Sequence, residues 1–211
     1  MTNKVKLVWA TPDAENLVAY MARVSNSENQ DNPATAPRLL AYLVKNNHWS
    51  PFEMVNVCIE IETTRDIARQ ILRHRSFSFQ EFSQRYATAT MYDVRETRLQ
   101  DIKNRQNSLL NEDRELNDMW QRAQKDLIDH STKVYQWALD NNIAKEVARA
   151  VLPEGNTMSR MYMNGTLRSW LHYIAIRCDQ ATQKEHREVA EKCRTIIYNL
   201  FPSIQGVLDA T

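Results

Sequence analysis

Glycine is the scarcest informative residue in this chain: Gly155, Gly165 and Gly206 are the only ones in 211 residues. A dinucleotide fingerprint or a phosphate loop needs several glycines close together, so that backbone amides reach phosphate oxygens. Neither can be built from so few, and any nucleotide must be held by side chains, arginine above all. Cysteine is equally sparse. Cys58, Cys178 and Cys193 form no close pair, and an odd, widely spaced set argues against a disulfide framework or a zinc knuckle. His130, His172 and His186 lack ligand-like spacing with a nearby carboxylate, so no metal is expected. No apolar run approaches the roughly 20 residues that span a bilayer, and the N-terminus lacks the apolar core of a signal peptide. The expectation is a cytoplasmic protein without a membrane partner. Charge excess is missing too: 27 basic against 26 acidic residues leave a net +1, which gives no global reason to expect nucleic acid.

What is present reads as an ordinary globular protein, with 43% hydrophobic and 25% charged residues. The absence of repeats, low-complexity segments and linkers predicts a single domain over residues 1–211. Residues 4–9 read as a strand, and Thr11-Pro12 opens a helix to about Val24. A polar loop spans Ser25–Thr35, and a helix spans Pro37–Asn46. Pro51 opens an extended stretch in which Val55, Val57, Ile59 and Ile61 alternate with polar residues, a strand signal. Thr64 caps a helix to about Arg73, a short strand is expected at Ser83–Thr88, and Tyr92–Arg105 reads as an irregular surface loop. A long amphipathic helix over Asn107–Asn141 carries Leu116, Trp120, Ala123, Leu127 and Val134. Helices also fit Lys145–Leu152, Thr166–Asp179 and Gln183–Leu200. The sum is a helix-rich α+β fold.

The densest polar signal runs from Arg65 to Tyr86. Arg65, Arg69 and Arg73 are four apart and fall along one helix side. Arg73, His74 and Arg75 then sit at the helix end, ahead of a loop with Glu81, Ser83 and Arg85. Such a cluster repels itself unless anions compensate it, and paired guanidinium N–H groups suit phosphate. A solvated basic helix end with weak surface ion pairs accounts for the same composition, and so does an RNA-binding surface with Phe77, Phe79 and Tyr86 interleaved. Composition leaves all three open.

The spacing is more telling. Arg73-His74-Arg75, seven residues, Ser83, then Arg85-Tyr86 resembles the signature motif of the flavin-dependent thymidylate synthases. Ala22–Ser25, His48–Glu53, Glu146–Arg149 with Val151–Pro153, and Gly165–Trp170 with Arg177 and Gln183 resemble further segments of that family in the same order, over roughly residues 5–200. The resemblance implies a helix-rich domain around a small, mainly antiparallel sheet, acting as a homotetramer with active sites between subunits. It implies FAD as cofactor, with NADPH and 5,10-methylenetetrahydrofolate as co-substrates, in reductive methylation of dUMP to dTMP with release of tetrahydrofolate. It implies that Gln70, Arg73, Glu81, Ser83, Arg85, Arg149 and Arg177 bind dUMP. Ser25, Ser50, Arg73, His74, Arg75, Glu81, Thr166, Arg168 and His172 would bind FAD, and His48 would lie near the folate.

The chemistry agrees. Methylating a uracil at C5 requires electron density on that carbon, and a cysteine route needs an activated thiol. No cysteine here has an activating motif. Without one, the ring must be polarised electrostatically, and a guanidinium against the uracil stabilises developing negative charge. Arg177 is the catalytic candidate for that role. Arg168 and His172 share a helix face, whereas Arg177 lies about 180° from Arg168. The expectation is that the two faces serve different active sites of an oligomer.

Overall fold

The computed structural model describes residues 3–205. The elements run β1 (Lys4–Ala10), α1 (Ala14–Ala22), α2 (Ala36–Lys45), β2 (Asn56–Thr64), α3 (Arg65–Ile71), β3 (Ser78–Glu81), β4 (Arg98–Gln100) and β5 (Ser108–Leu110). They continue as α4 (Arg114–Asp140), α5 (Lys145–Ala148), β6 (Met158–Thr166), α6 (Leu167–Arg177) and α7 (Lys184–Leu200). The fold is α+β. Four strands form an antiparallel sheet in the order β1-β2-β6-β3, and β4 and β5 pair as a separate hairpin.

The sheet is built on β2 and β6, which pair from Asn56↔Thr166 to Thr64↔Met158. The period-two pattern of β2 buries Val57, Ile59 and Ile61, which meet Met161 and Met163 of β6 beneath α1, α2, α3, α6 and α7. On the opposite side Lys4, Lys6, Glu60, Glu62, Arg160 and Tyr162 stay exposed or half-buried, and Lys4 pairs with Glu62 at 3.1 Å. Helix α4 stands apart. Among its 27 residues only Gln124, Ser131, Tyr135 and Ala138 are buried, with Tyr135 and Ala138 joining Ala89, Ala148 and Leu152 in a small second cluster.

The structure corrects several expectations. The extended stretch begins at Asn56, because Ser50–Glu53 forms a 3₁₀ turn with Pro51 in its first turn. Helix α3 ends at Ile71, so Arg73 leaves it. The strand expected at Ser83–Thr88 lies at Ser78–Glu81, where β6 offers ladder partners; beyond it the Tyr86 and Ala87 amides fold back on the Ser83 carbonyl. The long helix begins at Arg114, since the Asp113 carboxylate accepts from the Glu115 and Leu116 amides and caps it there. Residues 108–110 are strand instead. Nor is Tyr92–Arg105 merely a surface loop. Arg95 and Arg98 within it bind the buried Glu185 of α7 at 3.0 and 2.6 Å.

Candidate active site

Helix α3 delivers the polar string to the edge of the core because Ile67, Ala68 and Ile71 bury one side. The chain then turns, and Arg73, His74 and Arg75 emerge together. Arg73 and Arg75 are exposed, with no carboxylate at ion-pair distance among the described residues. His74 turns inward against Tyr173, ring centroids 5.0 Å apart. Its Nε2 accepts a 2.8 Å hydrogen bond from Nε of Arg177. Burial, then the positive charges of Arg177 and Arg73, hold His74 down at about 4, so the imidazole is neutral and available as an acceptor. Gln70, on α3, donates from Nε2 to Gln183 Oε1 at 2.8 Å. The C-terminal end of α6 and the N-terminal end of α7 thus meet the end of α3.

A second group gathers along β3 and the turn after it. Ser159 donates to Glu81 Oε1 at 2.7 Å, and the Arg65 guanidinium lies 3.7 Å from the same oxygen. Ser83 Oγ accepts from the Arg85 amide at 3.3 Å and has no general base bonded to it among the described residues. Arg85 reaches Glu146 at 3.2 Å, and Arg149 Nε donates to the Glu146 carbonyl at 3.3 Å. Arg69 is held by Glu154.

A third group lies at the start of α6. Arg168 pairs with Glu53 at 2.5 Å, and the His172 ring packs at a tilt against Trp49, centroids 4.7 Å apart. Thr166 caps the helix, its hydroxyl accepting from the Ser169 amide at 3.3 Å. Ser169 in turn donates to the Ser76 carbonyl at 3.2 Å, tying this group to the loop after Arg75. Ser50 is exposed at the head of the 3₁₀ turn, His48 packs its ring edge on Tyr42 at 6.1 Å, and Ser25 is exposed beyond α1.

Within one chain the structure therefore bonds Arg177 to His74, with Gln70 linked to that pair through His186, gathers Ser83, Arg85 and Arg149 around Glu146, and holds Arg168 on Glu53 and His172 on Trp49. No hydrogen bond or ion pair links the first group to the second among the described residues. Ser159, Tyr173 and His186, all in contact with these side chains, were not legible as site neighbours. Their contacts join positions far apart in sequence, and no local spacing signals them. Cys58 and Cys193 are buried, and burial pushes both thiols up, away from a reactive thiolate. Among the described residues no three His, Cys, Asp or Glu side chains are placed to hold a metal ion, and no helix is long and apolar enough to cross a membrane.

Residues 6–203 match a family model described as thymidylate synthase complementing protein. The chain is 53% identical over 195 residues to a flavin-dependent thymidylate synthase of Synechocystis sp., covering 92% of this chain and 89% of that protein. It is 48% identical over 197 residues to a probable flavin-dependent thymidylate synthase of Paramecium bursaria Chlorella virus 1, covering 93% and 91%. Among solved structures, a UMP/dUMP methylase from Streptomyces cacaoi bound with 5-Br dUMP superposes with a TM-score of 0.87 at 26% identity, covering 99% of this chain and 95% of that one.

Proposed function

The chain belongs to the flavin-dependent thymidylate synthase family, and from that membership we propose that it converts dUMP to dTMP with 5,10-methylenetetrahydrofolate as one-carbon donor and NADPH as reductant, releasing tetrahydrofolate. The observation that carries this reading is the pairing of Arg177 with a neutral His74 beside the uncommitted guanidiniums of Arg73 and Arg75. In this reading the protein acts as one domain, in the cytoplasm.

The residues suit FAD. With so few glycines the dinucleotide is gripped by side chains: Arg73 and Arg75 take its phosphates through paired N–H donors. His74, Glu81, Ser25, Ser50, Thr166, Arg168 and His172 complete the site. When bound, FAD supplies the electrons that reduce the transferred one-carbon unit. Everything else falls to the chain. Gln70, Arg73, Glu81, Ser83, Arg85 and Arg149 hold dUMP, and His48 lies on the folate side. Ser83 serves as a ligand rather than a nucleophile, consistent with the lack of a base beside it. Arg177 gives its Nε hydrogen to His74 and keeps its Nη hydrogens for the pyrimidine. A guanidinium so oriented stabilises negative charge developing on the uracil without exchanging a proton. Buried, protonated thiols fit a route without a cysteine nucleophile.

The chain assembles as a homotetramer with active sites between subunits. The exposed apolar residues of α4, Leu116, Met119, Trp120, Leu127 and Trp137, fall along one side of the helix and support self-association.

Purified protein is expected to be yellow, to bleach anaerobically with NADPH, and to form dTMP once dUMP and methylenetetrahydrofolate are added. Arg177→Ala is expected to lower kcat by about 10²–10³-fold, the scale for losing one preorganised electrostatic donor. A colourless protein with salt-sensitive oligonucleotide binding overturns the enzyme reading. Bleaching without dTMP overturns the methylation.

A further inference from the structure

His186 is fully buried, in the first turn of α7. Its ring is placed between two polar partners: Nδ1 is 3.4 Å from Gln70 Oε1, and Nε2 is 3.2 Å from the Tyr173 hydroxyl. Gln70 continues the chain to Gln183 at 2.8 Å, and Gln183 continues to Glu185 Oε2 at 2.9 Å. Glu185 is anchored from the other side by Arg95 and Arg98.

The direction of every bond in this chain follows from its last member. Glu185 is a carboxylate, able only to accept, so Gln183 must turn its amide nitrogen toward it. Gln183 Oε1 therefore faces Gln70, and Gln70 must present its own nitrogen there. That leaves Gln70 Oε1 facing His186, which must donate from Nδ1. A neutral imidazole with its hydrogen on Nδ1 has a bare Nε2, and the Tyr173 hydroxyl, buried and holding its proton, donates to it. Any other amide or ring orientation sets two acceptors or two donors against each other inside the core, which buried polar groups do not tolerate. One hydrogen on Gln70 Nε2 remains uncommitted.

We propose that His186 is a positioning residue for substrate binding: with Glu185 it locks the Gln70 amide so that the side chain offers the nucleotide an N–H donor, matched to an oxygen acceptor on dUMP. This rests on the reading of Gln70 as a dUMP ligand. The lock is relayed across three helices, α3, α6 and α7, and no single segment encodes it. A free Gln70 amide would flip between donor and acceptor and lose part of its binding contribution to ordering.

Two measurements test it on the full-length, flavin-loaded protein. In ¹⁵N-histidine spectra of the wild type near pH 7, the His186 ring, assigned by the signal lost in His186→Asn, is expected as the neutral Nδ1–H tautomer. An Nε2–H tautomer or an imidazolium overturns the proposal, whatever the variants do. In steady-state kinetics, His186→Leu is expected to raise KM for dUMP about tenfold, the scale of one hydrogen bond's loss, with the rate of flavin bleaching by NADPH unchanged. His186→Asn, which restores an amide N–H near the Nδ1 position, is expected to recover most of that loss. Unchanged KM in His186→Leu, or a His186→Asn protein no better than His186→Leu, overturns the lock. If the wild type itself binds no dUMP, the functional reading falls first, and the tautomer measurement still decides the geometry.

Discussion

Two histidines sit side by side in the interior, His74 and His186, with ring centroids 6.2 Å apart. Burial is the first cause of both lowered pKa values. Arg177 is the second for each, joined by Arg73 at His74 and by His74 at His186, which places them near 4 and 3 against an ordinary 6.5. The unfolded chain takes up a proton on each ring near pH 6.5, whereas the folded chain refuses both until pH 4 or below. In that window the unfolded state binds more protons, so this stability is complete above about pH 6.5 and is lost as the pH falls toward 4. Burial works against the charged forms of Glu96 and Glu185, but their cationic partners outweigh it and hold both pKa values low, so these carboxylates lose stability in acid as well. A His186→Phe protein keeps those carboxylates and removes one histidine. Urea midpoints measured from pH 7 to pH 4 are therefore expected to fall more steeply in the wild type than in His186→Phe. Parallel slopes mean that His186 is charged in the folded state.

At the scale of elements, β6 is the strand on which the site depends. It pairs with β2 on one side and β3 on the other, and its last residue caps α6. Gly165, opposite Val57, makes room for Phe77: a Cβ there overlaps the Phe77 ring, which is itself wedged against Trp170 at 4.8 Å. Because the ring is packed on both sides, it has nowhere to go, and Gly165→Ala is expected to cost about 1–3 kcal/mol as overpacking. Denaturant unfolding checks this, and a loss under half a kilocalorie means that Phe77 shifts freely. The same strand shows where sequence reading stops. Strand β2 was legible from its alternating valines and isoleucines, and α7 from its helical period. Strand β6, Met-Ser-Arg-Met-Tyr-Met-Asn-Gly-Thr, lacks β-branched residues except at its end and carries a glycine. Its stability comes from partners distant in the chain, not from local propensity. The site divides in the same way. Arg73, His74, Arg75, Ser83 and Arg85 could be picked out as candidates because their spacing is local. The Ser159–Glu81 and His186–Gln70 contacts, 78 and 116 residues apart in sequence, exist only once the sheet and helices have packed.

At the scale of the whole molecule, the two ends of α6 point to different neighbourhoods. Arg168 pairs with Glu53 at the first turn, and Arg177 with His74 at the last. Nine residues separate them, about 13.5 Å along the axis and half a revolution around it. One rigid helix aims these two side chains in opposite directions, so an active site that uses both is expected to draw them from two copies of the chain. On that arrangement Arg168→Ala and Arg177→Ala each disable every site in their own oligomer, but through different faces. In a mixed oligomer, some sites receive Arg168 from one subunit and Arg177 from the other. Random pairing of equal amounts restores about a quarter of the sites, so activity is expected to rise from near zero to roughly that fraction of wild type. Subunit exchange is followed by mass labels on one variant. Exchange without any return of dTMP formation means that each site draws both arginines from a single chain, and that α6 must bend or one of its arginines must serve a structural ion pair instead.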